Sequence, residues 1–357
     1  MTTSRTETQV VVIGAGQAGL AVAYYLRRFE LVPGEDFVLF DRGPHTGGAW
    51  QHRWDALKLG SAHHVNDLPG MAEVGLSFDT ADRSLPAKDI VAGYYRRYEE
   101  HFDLRVQRPV AVSSVFNRGA DLVVGHSQGE TVTRVVVNAS GTWGAPFIPW
   151  YPGMNTFSGR HVHTSNYVSA EEFAGQSVVV VGGGTSAIGF LLELEGIAGE
   201  LAWATRRPVD FRDESELTIE GGVAAVQQQD AAARAGAALP SIVSGTGVPR
   251  TRRIAAGIER GLLVERPMFT AIEPDGVRWS DGTVTKADAI VWATGFRPEL
   301  RHLAPLKLRE KAGGLTVASG ASWQDSRIFL AGYGPQASTI GANRAGRVIA
   351  RQIMAQL

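Results

Sequence analysis

The 357-residue sequence contains no cysteine. That absence removes in one step a dithiol redox centre, thiolate metal sites, iron–sulfur ligation, a cysteine nucleophile and any disulfide. Net charge is nearly missing too: 35 Lys and Arg face 36 Asp and Glu, leaving −1 with neutral histidines. No broad basic field exists to attract nucleic acid or an anionic membrane. The apolar opening stretch, Val10 to Leu26, carries three glycines and a glutamine, so it falls short of the roughly 20 apolar residues that a bilayer span requires. Met1 to Gln9 is polar and lacks the apolar core of a signal peptide. The expectation is a cytoplasmic protein with the length of two ordinary domains.

What is present is organised around one turn. Val10-Val11-Val12-Ile13 runs into Gly14-x-Gly16-x-x-Gly19, which opens into a helical pattern ending at Arg27-Arg28. This is a strand, a phosphate loop and a helix. Gly14 permits the tight turn, Gly16 lets backbone approach a pyrophosphate, and Gly19 lets the helix pack close to its strand. The helix N-terminus offers N–H groups to the phosphates. Phe37-Val38-Leu39-Phe40 then places Asp41 where a ribose hydroxyl pair is expected.

Further along, Gly47-Gly48-Ala49-Trp50 forms a loop whose paired glycines allow backbone to approach a ligand; an ordinary surface loop is the alternative. Leu57 to Pro86 is irregular and collects Ser61, His63, His64 and Asn66. Segments of this kind are usually functional or mobile, although either histidine alone reads more readily as a satisfied loop residue than as a catalyst. Helical spacing returns from Ala87 to Phe102, with Ile90, Tyr94, Tyr95 and Tyr98 on one side. Strand-like runs over Val110–Phe116, Asp121–Val124 and Thr131–Ala139 lead to Asn138-Ala139-Ser140-Gly141, and a proline cluster over Ala145–Gly153 reads as an ordered linker.

The opening pattern then recurs. Val178-Val179-Val180-Val181 runs into Gly182-Gly183-Gly184-Thr185-Ser186-Ala187, with Ala187 as a permitted third position. The next strand, Glu200 to Ala204, ends not in an acid but in Thr205-Arg206-Arg207. A carboxylate there would repel a 2′-phosphate, whereas a guanidinium binds it through charge-assisted bonds, so this copy is expected to take NADPH. The alternative is that both arginines form a solvated edge. Val135 to Gly141 is echoed by Ala289-Ile290-Val291-Trp292-Ala293-Thr294-Gly295, so two units of one design share the chain. Asp210 to Arg260 reads as a surface insertion with one or two helices, and Ile328 to Gly334 followed by Thr339 to Met354 as a strand, a turn and a closing helix.

Phe157-Ser158-Gly159-Arg160-His161-Val162-His163-Thr164-Ser165-Asn166-Tyr167 fits Phe-x-Gly-x-x-x-His-x-x-x-Tyr. With Gly47-Gly48-x-Trp50 and Ala293-Thr294-Gly295, the chain resembles the class B flavoprotein monooxygenases, the flavin-containing and Baeyer–Villiger enzymes. These lie among the two-dinucleotide-binding flavoproteins, whose disulfide-reductase branch needs a cysteine pair absent here. The resemblance implies an α/β fold of two Rossmann-like dinucleotide-binding domains. The NADPH domain, 166–295 with a helical insertion at about 210–260, is inserted into a discontinuous FAD domain, 1–165 and 296–357. It implies FAD held at Gly14, Gly16, Gly19, Asp41, Arg42, Gly47, Gly48, Trp50, Val112, Gly141, Gly332 and Tyr333. NADPH is expected at Gly182, Gly184, Thr185, Ser186, Ala187, Arg206, Arg207, Thr294 and Gly295.

By the same resemblance, NADPH reduces FAD and O2 adds at flavin C4a. The resulting (hydro)peroxyflavin oxygenates a small organic substrate, a sulfide or amine as the hydroperoxide or a ketone as the peroxide anion. Catalytic candidates are Ser61, His63, Asn66 and His163, the last expected in the connection between the domains; no metal is expected. Three positions depart from the family pattern. Val168 follows the aromatic of the fingerprint, Gly60 or Ser61 stands where an Asn beside the flavin is usual, and Tyr333 replaces a common acid. Two other readings remain open: an NADPH oxidase or reductase without oxygen insertion, and a non-enzymatic flavin-binding protein. The expected partners are a small-molecule substrate and O2, without nucleic acid or membrane, and a homodimer is left open.

Overall fold

The computed structural model describes residues 5–62, 64–213, 219–240 and 247–357. The chain divides into two compact units, one made of Met1–Thr142, Val226–Pro240 and Pro298–Leu357, the other of Trp143–Ala225 and Ser241–Arg297.

In the first unit the strand Arg5–Ile13 lies parallel between Phe37–Phe40 and Gly129–Asn138. Ile328–Leu330 pairs in parallel with Gly129–Asn138, so the closing segment returns to the first sheet. The antiparallel pair Val112–Arg118 and Asp121–His126 joins the N-terminal half of Gly129–Asn138. Val10, Val11 and Val12 are fully buried, as are Val136 and Val137; strands covered on both faces read as continuous apolar runs, not as alternation. Helix Gln17–Arg28 packs against the last helix, Thr339–Met354, so closely that a Cβ on Gly346 would come within 3.0 Å of the Ala21 methyl. Helix Ala87–His101 buries Val91, Tyr95 and Tyr98 in the same core.

The second unit holds five parallel strands in the order Glu265–Pro267, Glu200–Thr205, Ser177–Val181, Ala289–Trp292, Arg160–His163. A three-stranded antiparallel layer, Ala271–Glu273, Gly276–Arg278 and Val284–Lys286, accompanies it. Phe269, Trp279 and Trp292 fill the core with Val179 and Val181.

The unit edges differ from the sequence boundaries, for reasons of pairing. The fingerprint strand Arg160–His163 is bonded to Ala289–Trp292 and thus belongs to the second sheet. The proline-rich linker is tied to the same unit, with Phe147 N–H donating to Gly295 O and Arg297 N–H to Ala145 O. The first unit's leading segment therefore ends at Thr142, not near 165, and the second unit extends to Arg297. The insertion carries helices Ile219–Arg234 and Arg252–Glu259. Its part Val226–Pro240 joins the first unit, where Ala233 is buried among Leu303, Val317 and Tyr333, and Ala238 N–H donates to Ala312 O. No helix among the described residues is long and apolar enough to cross a membrane.

Candidate functional site

The leading strand of each sheet ends in the same turn. Gly14 at φ +103° and Gly182 at φ +139° occupy backbone conformations that favour glycine. A Cβ on either would fall 2.4 Å from a carbonyl oxygen, that of Ala139 or of Ala293. The duplication extends to the crossover: Ala139 N–H donates to Ile13 O and Ala293 N–H to Val181 O, each at 2.8 Å. The helices that follow, Gln17–Arg28 and Thr185–Leu194, start at Gly16 and Gly184, without a side-chain cap and without an acid in the first turn. At the last helix, by contrast, Ser338 Oγ accepts Gly341 N–H. The first-turn N–H groups of both phosphate helices are thus uncapped and at the positive end of the dipole, the condition for holding a phosphate.

In the first cradle a Cβ on Gly19 would lie 1.9 Å from Gly14 O, and one on Gly48, at φ +53°, 2.7 Å from Gly16 Cα. Gly16 is different: its Cβ would meet nothing closer than Gly48 Cα at 3.8 Å. The protein's own packing does not demand glycine there, whereas a pyrophosphate needs that space. Asp41 is buried, with Oδ2 accepting Ala15 N–H and Oδ1 accepting Gly43 N–H, both at 2.7 Å. Each oxygen keeps a further lone pair for a ribose hydroxyl, and the phosphate loop itself fixes the carboxylate. Arg42 faces Glu299 at 3.8 Å, while Gly141 O accepts Glu299 N–H at 2.9 Å. Trp50 is buried, with the Arg53 guanidinium 5.7 Å from its ring centroid. A Cβ on Gly332 would touch Ala18 Cβ at 3.1 Å, which puts Gly332 beside the phosphate helix. The Tyr333 hydroxyl accepts Leu315 N–H at 3.2 Å in the core, so its side chain turns inward. Val112 opens the hairpin strand, half-buried.

In the second cradle the Ala187 methyl is fully buried, and Trp203 Nε1 donates to Gly182 O at 2.7 Å. Thr185 is exposed and Ser186 half-buried on the first turn. Thr205 is buried, and Arg206 and Arg207 beyond it are exposed. Neither arginine has an ion-pair partner among the described residues. Thr294 Oγ1 donates to Phe147 O, and Gly295 lies at φ +78°.

His163 is buried in the second unit. Its Nδ1 accepts Ser165 N–H at 3.1 Å, which leaves Nε2 to donate to Gly295 O at 3.0 Å. Burial lowers its pKa, opposed by the bond to Gly295. It is a neutral coupler between the fingerprint and the Thr294-Gly295 turn. Replacing it with Leu removes both bonds and leaves half-buried backbone groups unpaired, which should cost about 1–3 kcal/mol. Thermal unfolding of the parent and the variant measures the loss.

Ser61 is exposed and donates to Lys58 O of its own turn at 3.0 Å. Asn66 is half-buried, and its carbonyl accepts Gln17 Nε2 at 3.2 Å. His63 lies outside the described residues. Ser61 and Asn66 thus belong to the first unit and His163 to the second.

Sequence reasoning missed two polar pairings of the first unit. Gln17 bonds Tyr95, Asn343 and the Asn66 carbonyl. His302, buried, donates from Nε2 to Asn138 Oδ1 at 2.7 Å. Burial, aided by the Arg42 charge, lowers the His302 pKa from 6.5 to about 4. An unfolded chain therefore takes up this proton near its ordinary pKa and the folded chain only near 4. The stability is present above the unfolded pKa and is lost as pH falls towards the folded one. His302→Gln should lose about 2–3 kcal/mol less than the parent between about pH 7 and 4, as urea unfolding at both pH values would show.

Residues 11–224 match the pyridine nucleotide-disulphide oxidoreductase family. A flavin-containing monooxygenase from Stenotrophomonas maltophilia is 31% identical, with a TM-score of 0.81 over 98% of this chain and 99% of its own. Indole-3-pyruvate monooxygenase YUCCA1 of Oryza sativa subsp. japonica is 29% identical, spanning 89% of this chain and 83% of the relative. An uncharacterized oxidoreductase, CzcO of Bacillus velezensis, is 26% identical over 90% of each. With two phosphate cradles built on one plan and a solved flavin-containing monooxygenase matched along nearly its whole length, this chain belongs to the pyridine nucleotide-disulphide oxidoreductase family and, within it, to the flavin monooxygenases.

Proposed function

We propose that this chain uses NADPH, FAD and O2 to insert one oxygen atom into a small organic substrate, oxidising a sulfide or amine or converting a ketone by Baeyer–Villiger insertion. FAD is assigned to the first unit, NADPH to the second, and the cytoplasm is the proposed location. The observation that carries this reading is the unequal chemistry at the two strand ends. One bears a buried, backbone-fixed carboxylate at Asp41, the other two exposed cations at Arg206 and Arg207. A carboxylate selects ribose hydroxyls, whereas guanidinium groups select a 2′-phosphate.

Bound FAD supplies the hydride acceptor and the oxygen-activating chemistry; the chain's residues bind and orient. Gly16 leaves room for the pyrophosphate, Asp41 takes the ribose, and His163 keeps the Thr294-Gly295 turn in place. The absence of cysteine denies the electrons a protein disulfide as acceptor. A second reading, oxidation of NADPH with release of peroxide, follows from the position of Gly60 or Ser61, where the family pattern carries an Asn beside the flavin.

The deciding experiment supplies NADPH and isotopically labelled dioxygen with a panel of sulfides, amines and ketones. Label in an organic product, matched by NADPH consumed, supports oxygen insertion. Peroxide equal to the NADPH consumed, with no labelled product across the panel, selects the oxidase. A flavin that NADPH does not bleach without oxygen excludes both.

A further inference from the structure

The spacing of helix Ala87–His101 gives it an apolar face, yet three of its residues carry polar contacts to separate parts of the first cradle. Ala92, Tyr95 and Glu99 stand at i, i+3 and i+7, on one helix face. Ala92 O accepts Thr46 Oγ1 at 2.8 Å, and Gly47 lies so close that a Cβ would sit 3.2 Å from Ala92 Cα. That holds the Gly47-Gly48 loop. The fully buried Tyr95 donates its hydroxyl to Gln17 Oε1, on the first residue of the phosphate helix. Glu99, buried, takes Arg108 in a two-pronged bond at 2.6 and 2.9 Å.

Arg108 sits in the segment that frames Asp41. Gln107 O accepts Asp41 N–H at 3.0 Å, and Val110 N–H donates to Asp41 O at 2.7 Å. Each contact from the helix face therefore ends at a different wall of the cradle: the Gly-Gly loop, the head of the phosphate helix, and the strand end bearing the ribose carboxylate.

The chemistry of these contacts is not what core stability alone would select. A buried ion pair is often replaced by apolar side chains without loss, and Arg108 Nε has no hydrogen-bond partner among the described residues. What a polar pair adds over an apolar one is direction.

We propose that the Ala92–Tyr95–Glu99 face is the positioning device of the FAD cradle, with Tyr95, Glu99 and Arg108 setting the register of the phosphate helix and of Asp41. The proposal rests on the assignment of FAD to the first unit. Its test compares the parent chain, Tyr95→Phe and the double variant Glu99→Met with Arg108→Met. FAD is titrated into the full-length apoprotein, affinity is read from flavin fluorescence, and apoprotein unfolding is followed by circular dichroism. The expected result is a dissociation constant for FAD raised about tenfold or more in both variants, equivalent to about 1.4 kcal/mol, with the apoprotein midpoint kept within the scatter of the parent.

Two results would overturn it. In one, the variants bind FAD within about twofold of the parent. In the other, affinity falls only in step with a lowered apoprotein midpoint, which marks the contacts as ordinary core. A parent chain that takes up no FAD would overturn the cofactor assignment as well. Variants that bind like the parent would overturn this proposal alone and leave the assignment standing.

Discussion

Gly16→Ala should abolish tight FAD binding while leaving the apoprotein almost as stable as the parent. Gly19→Ala, three residues on, should lose both. At Gly16 the backbone has φ −87°, open to any residue, and the added methyl would meet no protein atom closer than 3.8 Å. The cost to the apoprotein is the small N-cap preference of Gly over Ala, about half a kcal/mol. The cost to the cofactor is larger, because the methyl fills the space through which phosphate oxygens reach the uncapped N–H groups. Losing one or two charge-assisted bonds, each about 1.5–3 kcal/mol, weakens binding by about tenfold for one weak bond and by more than about a thousandfold for two strong ones. At Gly19 the methyl would lie 1.9 Å from Gly14 O, a backbone atom that cannot rotate away. Helix and strand must then separate, at the upper end of the 1–3 kcal/mol typical of overpacking or beyond. Gly189→Ala is the control: its Cβ has no neighbour within 4 Å, in mid-helix, and the change should stabilise by about 0.5–1 kcal/mol. Flavin fluorescence titration and thermal unfolding separate the three variants. A Gly16→Ala chain that binds FAD like the parent would remove the first cradle as the pyrophosphate site.

The cradles were legible from sequence because their requirement is local and of backbone origin. Gly14 and Gly182 must take positive φ and meet a neighbouring carbonyl, and only glycine does both, so three letters report the geometry. Asp41 was legible for a related reason, since strand length fixes where the next strand ends. The polar couplings of the first unit were not. Tyr95 and Gln17 are 78 residues apart and His302 and Asn138 164 apart, and no periodicity marks either pair. Tyr95 reads as one more apolar residue on a helix face until its hydroxyl is located. The unit edges were hidden by short strands. Arg160–His163 has four residues, too few for a pattern, and only its pairing with Ala289–Trp292 assigns it to the second sheet. The direction of the Tyr333 ring has no signal in the sequence either: the ring lies in the core, where its hydroxyl accepts Leu315 N–H.

The parent should reduce its flavin with NADPH between about fivefold and a hundredfold more efficiently than with NADH, and Arg206→Ala with Arg207→Ala should erase that preference. The two dinucleotides differ only by the 2′-phosphate, so only residues that meet it can discriminate. Glu200–Thr205 ends with Thr205 buried, which fixes the chain direction there, and both guanidinium groups that follow are exposed without an ion-pair partner among the described residues. Neither must break a carboxylate contact of that set before taking the phosphate. A charge-assisted guanidinium–phosphate pair is worth about 1–3 kcal/mol, which sets the stated range. Exposure and salt screening place the value nearer the lower end, and the preference should shrink as ionic strength rises. In the double variant the Michaelis constant for NADPH should rise while that for NADH stays nearly constant, since NADH makes no use of the charge. Steady-state reduction with each dinucleotide at two salt concentrations measures this. Equal use of NADH and NADPH by the parent, or equal loss of both in the double variant, would make these arginines a solvated edge and withdraw the 2′-phosphate from the second cradle.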